Sequence, residues 1–304
     1  MAEIISAARY NELQGKIAAL LGPGSLDKGY NQLLASSGQP VGTLILASHM
    51  NSLYTDFEKV WKHIRGEVSL STRAINTVTS DNEITNALYT AYEETFDILE
   101  DERFLIHPTQ VETVSAGVNS VRNGLASPWG GTSLPQQINH TIEVSFTSAN
   151  ARRCFFNAGG QIRFNASLDI SSIPEDTNYA KNEDWVTMLS NPGQIQFGRN
   201  VTERTLTGGT AYAIGNEDLT TTYQTIFLKT GDPSGTYSDN QWYIQAKEID
   251  SSTIAFDIVF YDQDVGSGGA DEYVAGVLTS EVITYRSINY VDSPAPNYTK
   301  TSDL

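Results

Sequence analysis

The chain has 304 residues, long enough for one large or two ordinary domains and for a sizeable core. With 39% hydrophobic and 18% charged residues it has the make-up of an ordinary soluble protein, which argues against wholesale disorder. Nineteen basic residues against 36 acidic ones leave a formal charge of -17, which disfavours direct contact with nucleic acid or an anionic membrane. Such acidity suits either solubility or a basic partner. One cysteine, Cys154, excludes an internal disulfide framework and a cysteine-based zinc site. The opening MAEIISAARY lacks the basic start and apolar run of a signal peptide, and no segment has the apolar length of a membrane span. A soluble protein made in a reducing cytoplasm is expected.

The first hundred residues read as helical. Tyr10, Leu13, Ile17, Leu20 and Leu21 fall at helical spacing, and Gly22-Pro23-Gly24 ends the run. The loop GPGSLDKGY follows. It lacks the Gly-Lys-Ser/Thr ending of a phosphate cradle and reads as a turn between helices. Ser48 is placed to cap a second helix carrying Met50, Leu53, Tyr54, Phe57, Val60, Trp61 and Ile64, with Gly66 at its end. Ser80 or Asp81 opens a third, bearing Ile84, Leu88, Ala91, Tyr92 and Phe96. Between Asp81 and Glu102 stand eight acids and no Lys or Arg, either a solvated face or a surface for a basic partner.

From about Ser127 the pattern turns to β. SPWGGTSLP reads as a linker or turn. His140, Ile142, Val144 and Phe146 alternate with polar residues, a period of two. Ala151, Cys154, Phe155 and Ala158 then share one face of a short helix, capped by Thr147 or Ser148 and ended by Gly159. Alternation resumes at Ile162, Phe164, Ala166 and Leu168, and the apolar faces of strand, helix and strand are expected in one core. Residues 184–191 suggest another helix, turned by Pro192-Gly193 into the strand QIQFG. Thr205 to Gly215 reads as loop. Strands follow at 223–229, 241–247, 254–260 and within 276–290, with Asp250-Ser251-Ser252 as a hairpin connection. The end, SPAPNYTKTSDL, is a docked arm or a loose tail. The fold class expected is α+β, with a helical assembly or docking region over 1–126 and a mainly antiparallel sheet domain with short helices over 127–304.

Catalytic signatures are missing. His49 and His63 lie fourteen residues apart, too far for a metal pair one helical turn apart, and His107 and His140 stand alone, so all four read as structural. No GxSxG, HExxH or Walker motif occurs. Cys154 reads as a small buried hydrophobe. Asp262 and Asp264, with Asp271 and Glu272 nearby, could converge oxygens on Ca²⁺, but the twelfth position from Asp262 is Tyr273 where an EF-hand has Glu, so a solvated loop is preferred. Carboxylates such as Glu93, Glu94 and Asp250 cannot be paired as glycosidase groups from sequence. Fifteen tyrosines, with Tyr243 and Tyr261 at outward strand positions, suit protein interfaces and sugar stacking alike. No catalytic, cofactor-binding or metal residue is assigned, and no cofactor is expected.

Three stretches together carry a resemblance: YNELQGKIAALLGPGSLDKGYNQ from Tyr10 with the helix holding MNSLYTDF; INHTIEVSF with FFNAGGQIRFNASL; and DWVTMLSNPGQIQFG. In this order they resemble a group of virion structural proteins of tailed bacteriophages, particularly marine contractile-tailed phages. FFNAGGQIRF, Phe155 to Phe164, is the most specific piece. The resemblance implies a non-enzymatic virion component of the neck, tail or baseplate, assembled in the host cytoplasm. Its implied partners are copies of itself, in a homo-oligomer, and other virion proteins. A receptor- or glycan-binding module on the particle is the alternative, motivated by Tyr and Trp on a β surface, and a carbohydrate-degrading tail enzyme is the weakest reading.

Overall fold

A computed structural model describes residues 7–80, 83–175, 179–263 and 272–304. They fall into two compact units. One holds the described residues of Met1–Glu112 together with Arg153–Gly160 and Arg286–Ala295; the other holds those of Thr113–Arg152, Gln161–Tyr285 and Pro296–Leu304. The chain is α+β, with helices leading and antiparallel sheet following. The β region starts earlier than the turn at Ser127 suggested, because two strands precede it, and two later segments belong to the helical unit.

The helical unit is built on α1 (Ala7–Leu21), α2 (Ala47–Arg65) and α3 (Asn86–Asp101). Their apolar residues recur every three or four positions, so each helix has one stripe to bury. Tyr10, Leu13, Ile17, Met50, Leu53, Phe57, Tyr92, Phe96 and Leu99 share one core, joined by Ala158 and Val291. Phe57 meets Tyr92 edge-on at 4.8 Å. Two helix starts differ from the expected ones. Leu46 precedes α2, where its amide donates to Nδ1 of His49, and Ser48 lies inside the helix. Thr85 caps α3, its hydroxyl accepting from the Leu88 amide at 3.2 Å, while Ser80 stands upstream and Asp81 lies outside the described residues. Gly66 ends α2 as expected, donating to the Lys62 carbonyl.

His63 sits in this core with no exposed surface, its Nδ1 2.9 Å from the Ser287 hydroxyl. Burial holds its imidazole down to about 3 from the ordinary 6.5, with the backbone at Ala158 acting weakly the other way. The unfolded chain takes up this proton near 6.5 and the folded one only near 3, so the neutral ring's contribution is complete above 6.5 and is lost as pH falls towards 3. The urea midpoint of the helical unit should drop between about pH 7 and about pH 4.5, and His63→Gln should flatten that slope. Equal slopes in the two proteins would show that other groups govern the acid limb.

The remaining elements follow in chain order. β1 (Val111–Ser115), β2 (Ser120–Asn123) and β3 (Gln137–Ser145) lead to α4 (Ala149–Asn157) and β4 (Gln161–Asp169). After α5 (Tyr179–Ser190) come β5 (Ile195–Phe197), β6 (Thr202–Arg204), β7 (Thr210–Ala211) and β8 (Gln224–Thr230). β9 (Gln241–Asp250), β10 (Thr253–Tyr261), β11 (Val277–Ser287) and β12 (Asn297–Ser302) complete the chain. Two sheets result. One runs β1-β11-β4-β5-β6, with β2 also on β11; the other runs β12-β3-β10-β9-β8-β7. Phe256 of the second sheet packs on Phe164 and Phe197 of the first, each at 5.1 Å, so the sheets form a sandwich.

The strand–helix–strand unit folds locally as its periods dictate. Ser148 caps α4, its hydroxyl accepting from the Ala151 amide, and Gly159 ends it at φ 79°. A Cβ there would lie 2.5 Å from the Phe104 carbonyl, so only glycine fits. The two strands face one core, as expected. β3 and β4 line the sandwich from opposite sheets, while Ala158, at the end of α4, joins the helical core. The turn at Asp250 forms as expected, its carboxylate accepting from the amide and hydroxyl of Ser252. The 205–215 segment contains the two-residue β7. SPWGGTSLP is no free linker, since Trp129 is buried, bridges Val274 through both backbone groups and meets Trp185 at 4.7 Å. The C-terminal arm is docked. β12 pairs with β3, and Tyr298 shares a 2.6 Å hydrogen bond with Thr284.

Candidate interaction surface

Most of the residues singled out for chemistry are held by neighbours in the fold. His140 is buried in the sandwich between the Ser280 hydroxyl at 2.9 Å and the Val118 carbonyl at 2.8 Å, and burial lowers its pKa. His49 accepts the Leu46 amide, and His107 accepts the Thr109 amide at 3.3 Å. The Cys154 thiol is buried and pushed up by desolvation, the opposite of an activated nucleophile. Asp262 does not face solvent as a loop ligand. It is fully buried, 2.8 Å from the ammonium of the equally buried Lys181, which also donates to the Glu272 carbonyl at 3.1 Å. The Glu272 carboxylate accepts the Tyr237 hydroxyl. Asp264 and Asp271 lie outside the described residues. Among the described residues no three His, Cys, Asp or Glu side chains converge on one metal position.

Two of the stretches singled out in the sequence come together in the helical unit. The loop after α1 folds back so that the amides of Tyr30 and Gln32 take the last carbonyls of the helix, those of Leu20 and Leu21. Its next turn presents carbonyls rather than amides. Arg153 donates to the carbonyls of Pro23 and Lys28, and Asn157 donates to Lys28 at 3.0 Å and Leu26 at 3.3 Å. A ring of carbonyls attracts a guanidinium and repels a phosphate, so GPGSLDKG is a socket for an internal arginine. Gly24 and Gly29 permit it, because a Cβ on Gly24 would lie 2.6 Å from the Gly29 Cα. Leu26, between them, is held at φ 53°, which a leucine adopts only under constraint.

This loop consumes part of the acidic helix. Lys28 pairs with Glu100, and Asp27 with Arg103. Glu93 receives Arg9 at 2.8 Å, and Glu102 receives Arg65. Glu94, Asp97 and Asp101 remain on the exposed side. An open recess of about 530 Å³ beside α3 is lined by Thr72, Arg73, Asn86, Thr90 and Glu94, and its walls are mostly polar or small.

Beyond the socket runs a strap from Leu26 to Leu46. It is irregular yet fixed. Asp56, fully buried on α2, accepts the amides of Ala35 and Ser36 at 2.7 and 2.8 Å and the Ser36 hydroxyl at 2.6 Å. Asn11 on α1 exchanges two 2.7 Å hydrogen bonds with the backbone of Gln39. Tyr30 and Ile45 anchor the strap in the helical core and Leu34 packs against it, but five other large apolar side chains point outward. Val41 is 95% exposed, Leu33 89%, Leu26 79%, Leu44 70% and Leu46 49%, and the first four exceed every other large apolar side chain among the described residues. Val41 stands at the tip of a turn closed by the Thr43 amide on the Pro40 carbonyl. Fully burying such a side chain is favourable by roughly 1.5–3 kcal/mol, most of which the isolated chain forgoes at Val41, Leu33, Leu26 and Leu44. Single exposed leucines mean little, whereas a series of them on an anchored segment makes that segment a candidate contact surface.

The rest of the surface offers less to a sugar than the composition suggested. All four tryptophans are buried, Trp61 at 5% exposure being the least so. Tyr243 and Tyr261 are half-buried, and only Tyr223 among the tyrosines is classed as exposed, with Lys247 4.5 Å from its ring centre. No helix among the described residues is long and apolar enough to cross a membrane. No protein-family model, curated protein or solved structure matches the chain.

Proposed function

We propose that this chain is a non-enzymatic structural component of a bacteriophage particle, in the neck, tail or baseplate. It acts through contacts with its own copies and with other particle proteins. The observation that carries the reading is the strap, whose backbone is fixed by Asp56 and Asn11 while Leu26, Leu33, Val41 and Leu44 face outward. A surface ordered before binding loses little entropy on contact, which suits a part used repeatedly in an assembly. The ordered motifs noted in the sequence add to it, since Arg153 and Asn157 hold the loop from which the strap departs.

The test is mass spectrometry of purified, nuclease-treated particles from the source lysate, with antibody labelling under the electron microscope. Stoichiometric retention with label at one station is the expected result. Absence from clean particles overturns the reading, and label confined to fibre tips replaces it with receptor binding.

A further inference from the structure

We infer that the strap is a contact between two copies of this chain. The inference rests on the strap being a protein-contact surface, as proposed above, and charge selects the occupant. Residues 29–55 contain no Asp, Glu, Lys or Arg, the longest such run in a chain of net charge -17. The first charge after it, Asp56, is buried and taken by Ala35 and Ser36. The charges just before it are paired within the chain, Asp27 with Arg103 and Lys28 with Glu100. Lys59, the next cation, donates to the Leu33 carbonyl at 3.0 Å.

A basic partner finds no carboxylate to pair with along this run, and a phosphate or anionic headgroup finds no cation. Two acidic copies repel one another over most of their surfaces. The uncharged part of the strap, from Gly29 on, is where they meet without bringing carboxylates together, and there they bury the apolar side chains that each leaves in water.

The sign of the salt effect follows. Added NaCl screens the repulsion between copies and leaves the apolar contact intact, so association strengthens with salt. Contact with a basic partner would weaken instead. The experiment is sedimentation velocity on the purified full-length chain over a concentration series at low and high NaCl, repeated for Leu33→Asp and Val41→Asp. Both side chains lie in solvent in the single chain, so the variants keep the wild-type circular dichroism spectrum. The wild type should self-associate more tightly at high salt, and each aspartate should weaken association roughly tenfold or more. A wild type that stays monomeric throughout overturns the inference. So does an oligomer indifferent to both substitutions, or one that dissociates as salt rises. A monomeric chain still retained in particles overturns the self-contact alone. A self-associating chain absent from particles overturns the particle reading alone.

Discussion

Lys181→Met should destabilise the sandwich unit by about 3–5 kcal/mol, the range for breaking a buried ion pair by removal of one partner. Lys181 and Asp262 are both fully buried and 2.8 Å apart, so the substitution strands a carboxylate that water cannot reach. The packing leaves no room to adjust, since a Cβ on Gly130 would already lie 2.0 Å from the Asp262 carboxylate. Urea unfolding followed by tryptophan fluorescence reports on this region, because Trp185 shares α5 with Lys181 and packs on Trp129. Adding Asp262→Asn removes the stranded charge, and the double variant should recover at least half of the loss. A loss below about 1 kcal/mol for Lys181→Met would show that the pair is not desolvated as the structure has it.

Asp56→Ala should release the strap while leaving the sheets intact. The lost carboxylate accepts three hydrogen bonds, and the buried amide of Ser36 then lacks an acceptor. A local cost of about 3 kcal/mol follows, which lowers hydrogen-exchange protection of residues 33–40 roughly a hundredfold. Protection in β3, β9 and β10 should not change, because those strands belong to the other unit. Unchanged protection at Ala35 and Ser36 would mean that something other than Asp56 fixes the strap. If the strap joins two copies, the variant also associates more weakly, since it must order the segment on contact.

The local elements of this chain are written in its periodicities. Period-three-and-four stripes place α1, α2 and α3, and strict alternation places β3, β4 and β10, because a helix or strand must aim its apolar side chains one way. Gly66 and Gly159 end their helices where expected, since few other residues serve there. Helix starts are less legible. Ser80 and Thr85 both have capping side chains, and the structure uses Thr85.

Tertiary structure decided the rest. Nothing local says that β3 and β4 enter different sheets while Ala158 joins the helical core. Asp262 has the sequence neighbours of a solvated loop, and only the arrival of Lys181, 81 residues upstream, makes it half of a buried pair. Arg153 and Asn157 reach carbonyls more than 120 residues away, a partnership that carries no sequence signal because any carbonyl serves as acceptor. Leu33, Val41 and Leu44 have the composition of core residues, and their exposure follows from where Asp56 and Asn11 pin the backbone. By itself the sequence determined the bodies of α1 to α4, the strands β3, β4, β5, β8, β9, β10 and β11, the acidity and the lack of charge across residues 29–55. Which apolar residues stay in water is a property of the packed whole, because burial depends on what the fold brings against a side chain.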